Sequence, residues 1–410
     1  MLFRFASFDQ LYVRFSNGVQ YIPVVSSGDG QNGMNPFSLL IAGDFCPSGL
    51  YEPHFLSSSA DDIFDNLVLR IRTSSYAIFN LECVLADPVS YPLEKTGSHL
   101  SAHPHCINVM AKAGFNACNL ANNHIMDYGS QGLFETIKSC NEAGIRTFGA
   151  GLNLEEARKF FVVENNGIKV GVVTGAEHEW SIASVSTSGA NPFSMPETLL
   201  DVQSLRPEVE FLLVLLHAGR EHYPLPYPRL QEYCRFLVSA GADAVICQHS
   251  HCIGAIENYK HGLILYGQGN LIFRQPKKHN AYWNQGLLVE FDITGRGNWK
   301  HTLIPYLQSQ DFPGTRLMNA QEQSNLFHRL NDLGKVLDSP DALEAKWKED
   351  CSRYEQLYLG ILAGCNPNLL RVLKRVPFFS NWYSYRKRQY LLNAIRCQTH
   401  NEICKTIASF

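Results

Sequence analysis

From Ser38 onward, apolar runs of strand length alternate with segments of helical period, and this alternation confines the chain to an α/β architecture. Residues 38–42, 77–81 and 116–120 read as strands, and residues 60–71, 105–113 and 131–143 as helices. Such an order predicts a mostly parallel, buried sheet covered by helices. Residues 160–164 and 169–174 flank Asn165-Asn166-Gly167, a strong hairpin signal. Residues 211–216, 243–247, 263–266 and 287–293 read as further strands, with a helix over 229–240. Their close spacing predicts a second sheet packed on the first.

The flanks differ in character. Residues 1–37 read as an N-terminal extension, with short strands at 11–15 and 19–25 and a polar, Gly-rich stretch at 26–35. Residues 38–310 form the α/β body. Residues 311–410 read as a C-terminal helical region, with helices over 321–337, 342–362 and 385–408.

Composition enters as a filter on function. Lys plus Arg is 35 and Asp plus Glu is 38, a net charge of −3, which argues against a nucleic-acid partner held on a broad basic face. The 12 cysteines include no Cys-x-x-Cys pair, so zinc-ribbon and thioredoxin-type motifs are excluded. Cys118, Cys234 and Cys247 fall in apolar runs and read as small buried hydrophobes. So many cysteines suit a reducing compartment. Arg4, Asp9, Gln10 and Arg14 interrupt any signal-peptide core, and no apolar run is long enough to span a membrane. A soluble, cytoplasmic protein is expected.

The chemistry lies where polar residues meet strand ends, since ligands of open α/β sheets bind at the carboxyl ends of strands. The first strand ends in Gly43-Asp44, the second in Asn80-Leu81-Glu82 and the third in Asn119-Leu120-Ala121-Asn122-Asn123-His124. The strand from Phe211 ends in His217-Ala218-Gly219-Arg220-Glu221, and the next in Gln248-His249-Ser250-His251. Taken singly, Asp44 suits a helix cap, Glu82 a loop charge and the asparagines a left-handed turn. Together they imply a metal site. His249 and His251 sit at i and i+2, which on extended chain points both imidazoles to one side. Carboxylate, amide and imidazole donors suit two divalent transition ions such as Mn, Fe or Zn.

These motifs in this order, with Asp127-Tyr128-Gly129, Gly149-Ala150-Gly151-x-Asn153, Gly241-Ala242-Asp243 and Tyr266-x-x-Gly269-Asn270, resemble the CapA-type capsule-biosynthesis family. That family is named for poly-γ-glutamate synthesis and belongs to the calcineurin-like metallophosphatase superfamily. The resemblance covers about residues 38–295 and implies a four-layer α/β/β/α sandwich, here with a C-terminal helical extension. It implies that Asp44 is the first aspartate ligand, Glu82 the bridging carboxylate, Asn123 the amide ligand and His124 the histidine that steers or protonates the leaving group. His217 and His249 would complete one metal site with Glu82 and Asn123, and His251 would join Asp44 and Glu82 at the other. Two departures stand out. The superfamily's Asp-x-His is Asp44-Phe45-Cys46 here, where Cys46 reads either as a thiolate ligand or as a buried thiol. The bridging aspartate is replaced by a longer glutamate.

Glu221 reads either as a general base or partner of His217, or as a rim charge. Arg220, His222 and Asn270 are candidate anchors for an anionic small-molecule, polymer or peptide substrate. The expected function is metal-assisted hydrolysis or transfer of an anionic phosphoester or amide-linked substrate in capsule or exopolymer biosynthesis. A metal-dependent peptide Cα-epimerase, with His124, Glu221 or Asp44 as bases, and a non-catalytic assembly factor of a polymer synthase are the alternatives. The loops 181–199 and 274–284 would set specificity. Arg371, Lys374, Arg375, Arg386, Lys387 and Arg388 read as a solvated basic face. Tyr358, Phe378, Phe379, Trp382 and Tyr383 read as packing residues, and Cys397, His400 and Cys404 as one partly buried helix face.

Overall fold

The computed structural model describes residues 36–86, 92–95, 97–274, 282–309 and 313–362, with Leu392 and Ile395. The expected strands at 11–15 and 19–25, the helix at 385–408 apart from Leu392 and Ile395, which are helical, and the basic, aromatic and Cys-His residues beyond Leu362 lie outside the described residues. Tyr358, expected to pack, is exposed instead.

Two sheets form the body. The first runs in the order Thr315–Leu317, Asn298–Gln308, Gln285–Gly295, Phe37–Cys46, Tyr76–Leu81, Ala117–Asn119 and Arg146–Phe148, and Asn270–Phe273 also pairs with the end of Phe37–Cys46. The second runs Ile256–Tyr259, Gly262–Leu265, Ala244–Gln248, Phe211–His217, Ile168–Ala176 and Phe161–Asn165. The expected strand 287–293 is not part of it: Gln285–Gly295 pairs antiparallel with Phe37–Cys46 in the first sheet. Alternation along the strands divides their side chains between layers. Leu39 and Ile41 face the core between the sheets, whereas Leu40 and Ala42 face the helices outside the first sheet. Phe211, Leu213 and Leu215 likewise point inward, and Leu212, Val214 and Leu216 pack on Leu230, Leu237 and Val238 of the helix Pro228–Ala240. The three cores define four layers, α/β/β/α. Strands buried on both faces must be apolar throughout, which is why Phe211–His217 reads as an unbroken run. Each fully buried Leu or Val adds about 1.5–3 kcal/mol of transfer free energy.

Local chemistry explains the finer points. The hairpin turns on Asn166 and Gly167, with φ of +53° and +78°, the left-handed pair that Asn-Gly adopts at low cost. The expected helix over 60–71 is two helices, Ala60–Phe64 and Leu67–Thr73, separated at Asp65, whose φ is +44°. Ser59 and Asp62 close a capping box at the first of them. In the loop expected at 181–199, the helix Met195–Leu205 begins.

The expected boundary at residue 310 falls inside the compact unit, which reaches Leu343. The strand Thr315–Leu317 extends the first sheet, and the helix Ala320–Leu337 buries Leu326, Phe327 and Leu330 in the core between the sheets. The strand Asn298–Gln308 was not among those expected; it contains Pro305, whose missing N–H is tolerated near a sheet edge. A second unit begins at Glu344 and is described as helix as far as Leu362. No helix among the described residues is long and apolar enough to cross a membrane.

Candidate metal centre

Strand register assembles the centre. Across the first sheet, Asp44 aligns with Asn270 on one side and Asn80 on the other, and Asn80 aligns with Asn119. The register between the strands of Asp44 and Asn80 shifts between Ile41 and Asp44. Such an irregularity re-aims the following side chain. It depends on Gly43: a Cβ there would stand 1.9 Å from the carbonyl oxygen of Gly269. In the second sheet His217 aligns with Gln248 at the matching strand ends. Gln248 and Gln268 join the sheets just below, through bonds to each other (3.0 Å) and to the carbonyls of Ala42 (3.1 Å) and Ile41 (2.7 Å).

Glu82, His217 and His249 bring one ligand atom each within 4.8 Å of one another, and so do Asp44, Glu82 and His251. Glu82 belongs to both groups. His217 Nε2 lies 3.0 Å from Asn123 Oδ1, 3.0 Å from His249 Nδ1 and 3.4 Å from Glu82 Oε1. His251 Nε2 lies 3.7 Å from the same Glu82 oxygen. The two histidines reach the centre differently from the expected extended chain. The strand ends at Gln248, and His249 and His251 carry φ of +87° and +52°. Left-handed backbone at two non-glycine residues is strained, a feature that clusters at functional sites. Asp44 accepts from Asn80 Nδ2 (2.8 Å) and from the His249 amide (3.1 Å), which locks that turn to the first strand.

Glu82 is fully buried, and neither carboxylate oxygen has a hydrogen-bond partner among the described residues. A buried, unpaired carboxylate costs several kcal/mol unless a cation compensates it. The residues present therefore fit divalent cations, with Glu82 common to both groups of ligand atoms. The electrostatics agree. Burial pushes the Asp44 carboxyl up to about 7. Burial and the neighbouring Asp44 charge hold Glu82 well above the usual carboxylate range. Burial, aided by neighbouring imidazoles, pushes His217 well down, His249 to about 4 and His251 to about 3. At neutral pH the three rings are uncharged, the form in which imidazole ligates a metal.

The remaining expected residues divide by position. His124 Nδ1 lies 2.8 Å from Asp127 Oδ2, and Asp127 also accepts from the Leu100 amide (2.6 Å) and the Lys95 ammonium. Asn122 accepts from the His124 amide (3.1 Å) and donates to the Leu81 carbonyl (2.7 Å), so the Asn-Asn-His turn is pinned to the strand that carries Glu82. Asn270 is not at the rim, where a substrate anchor was expected. It is fully buried, its Oδ1 2.9 Å from His251 Nδ1 and its Nδ2 donating to the Trp283 carbonyl (3.1 Å). It thereby orients His251 with Nε2 toward Glu82. Its alignment with Asp44 places it inside the sheet. His222, with φ of +61°, packs against Trp283 with ring centroids 5.4 Å apart and the planes tilted by 48°. Arg220 donates to the Glu221 carbonyl (3.2 Å), and the Glu221 carboxylate acts on Glu82 and His249 through its charge. Cys46 belongs to neither ligand group and donates to Ser48 Oγ (3.2 Å).

Sequence reasoning missed Lys95 and Glu179. Lys95 is almost fully buried against Asp127, and Glu179 contacts both Asn123 and His249. Glu179 stands three residues beyond the strand Ile168–Ala176, the same offset as His251 beyond Gln248, so a strand-end signal was present. Lys95 lies away from any strand end among the described residues and carries none.

Residues 38–275 match the protein family described as bacterial capsule synthesis protein PGA_cap. The chain is 28% identical over 279 residues to the capsule biosynthesis protein CapA of Bacillus anthracis, covering 66% of this chain and 67% of that protein. It is 25% identical over 297 residues to the PGA biosynthesis protein CapA of Bacillus subtilis, covering 72% and 77% respectively. Among solved structures, a phosphatase from Mycoplasma pneumoniae aligns with 72% of this chain and 99% of its own, at 14% identity and a TM-score of 0.42.

Proposed function

This chain belongs to the bacterial capsule synthesis protein PGA_cap family, and on that premise we propose that it is a metal-dependent enzyme of capsule-polymer biosynthesis. Its chemistry is hydrolysis or transfer of an anionic amide-linked or phosphoester substrate. The observation that carries the proposal is Glu82, a buried carboxylate without hydrogen-bond partners, shared by two groups of ligand atoms. Glu82, Asn123, His217 and His249 would hold one divalent ion, and Asp44, Glu82 and His251 the other. Bound there, the pair supplies Lewis acidity toward a substrate oxygen and activates water.

The chain's own residues do the rest. Asp127 engages His124 through Nδ1, which leaves Nε2 to hold a proton for the leaving group. The Lys95 ammonium neutralises Asp127 and keeps that carboxylate fixed. Arg220 and His222, at the turn after His217, bind and orient negative charge on the substrate. Asn80, 2.8 Å from Asp44 Oδ1 and 3.3 Å from His217 Nδ1, holds the two halves in register.

The test uses the protein loaded with Mn²⁺, glutamate oligomers and an aryl phosphate. Release of amine or phosphate by the wild type, lost in His124→Ala, supports the reading. Full metal loading without product, together with a His124→Ala variant that sustains polymer synthesis in cells, would replace it with an assembly factor. Solvent deuterium entering a peptide substrate without cleavage would replace it with an epimerase.

A further inference from the structure

Glu179 stands in the turn after the strand Ile168–Ala176, its amide bonded to the Glu177 carbonyl at 2.9 Å. Its carboxylate is 42% exposed on one side and faces the centre on the other. Oε2 accepts from Asn123 Nδ2 at 3.3 Å, and Oε1 lies 3.9 Å from His249 Nε2. The opposite ends of those two side chains, Asn123 Oδ1 and His249 Nδ1, each lie 3.0 Å from His217 Nε2. Two members of one half-centre therefore point one end at the shared locus and the other at a single carboxylate.

We infer that Glu179 is a positioning residue for the half-centre of Glu82, Asn123, His217 and His249, an inference that rests on the dinuclear reading above. An amide has a donating and an accepting end, and the two are close in shape. A carboxylate only accepts. Anchoring Nδ2 on Glu179 thus fixes which way Asn123 is turned and commits Oδ1 to the centre. For His249 the contact is Coulombic, being too long for a hydrogen bond. The negative charge still favours the tautomer with its proton on Nε2, which leaves the Nδ1 lone pair free. Carboxylates that orient ligands in this way are a general feature of protein metal sites. Asp44 and His251, in the other half-centre, have their own partners in Asn80 and Asn270, so Glu179 contacts ligands of one ion site directly and reaches the other only through the charge on the shared Glu82.

The experiment is competition for Mn²⁺ between the full chain and a fluorescent chelator, with melting of the metal-free protein measured alongside. Glu179→Ala should weaken one of two Mn²⁺ sites by about 10–100-fold and change the second far less. Melting of the metal-free form should not move. Glu179→Gln retains an acceptor for Asn123 without the charge and should fall between alanine and wild type. Adding Asn123→Ala to Glu179→Ala should cost less than the two single losses combined, because both act through one contact. Two Mn²⁺ sites of wild-type affinity in Glu179→Ala would overturn the inference. So would equal weakening of both sites with a lowered melting temperature, the mark of a purely structural role. A wild type that takes up no Mn²⁺ would instead overturn the dinuclear reading itself.

Discussion

Glu82 Oε1 and His217 Nε2 face each other at 3.4 Å across the junction of the two sheets, both side chains buried. In the metal-free protein this is a poor pairing. Burial and surrounding imidazoles hold His217 neutral, and Glu82 has no hydrogen bond among the described residues. Glu82→Gln removes the carboxylate at nearly constant shape. The metal-free variant should be more stable than the metal-free wild type by about 1–3 kcal/mol. Chemical denaturation in the presence of chelator gives the comparison, and a less stable variant would contradict the assignment of strain to this carboxylate.

His124 acts on substrate and holds no ion in this account. His124→Ala should retain the wild-type metal content and melt within a few degrees of it, while turnover falls by about 10²–10⁴-fold. Asp127→Asn should lower turnover in the same direction, since the amide no longer holds the ring as the carboxylate does. Elemental analysis and a rate measurement on the same preparation check both. Loss of metal from His124→Ala would move that residue into the ligand set.

Gly43 is required by proximity. A methyl group there would meet the Gly269 carbonyl at 1.9 Å, and backbone cannot swing aside as a side chain can. Gly43→Ala should cost about 3 kcal/mol or more and displace Asp44. Thermal melting and Mn²⁺ uptake should fall together. A stable variant with full uptake would show that the strand irregularity is not needed to aim Asp44.

The two-sheet α/β architecture was legible because the strands are buried on both faces and their helices keep clear period, but strand order was not, since Gln285–Gly295 joins the first sheet through a long-range antiparallel pairing with Phe37–Cys46. Asp44, Glu82, His217, His249 and His251 were legible because each stands at or just beyond a strand end. What escaped was set by tertiary contact. The bent path of His249 and His251 depends on Asp44 accepting from the His249 amide. Asn270 looked like a rim residue until its alignment with Asp44 placed it behind His251. Lys95 approaches the centre from a loop, where spacing carries no information about direction, whereas Glu179 follows the carboxyl end of Ile168–Ala176, which aligns with His217, and could have been found by the same strand-end criterion. The strand Asn298–Gln308, which contains Pro305, was not among those expected, and the place of Ala320–Leu337 in the main core was hidden by its polar outer face.

Away from the centre, His301 should impose acid sensitivity. It packs beside Phe291 and Trp299, its Nε2 has no partner among the described residues, and burial pushes it down to about 4. Its folded value lies below the ordinary one, so the unfolded chain takes up the proton first. The stability it contributes is present above about pH 6.5 and is lost as pH falls toward 4. Between pH 7 and 4 the wild type should therefore lose about 2 kcal/mol more than His301→Phe. Denaturation at the two pH values measures this, and parallel losses would refute it.

The central claim is a two-ion centre bridged by Glu82, and the most direct measurement is metal content per chain. Protein purified without chelator should carry about two transition ions, and Glu82→Ala should carry fewer than one. Wild-type protein that holds no ion, and takes up none when Mn²⁺, Fe²⁺ or Zn²⁺ is supplied, would contradict it.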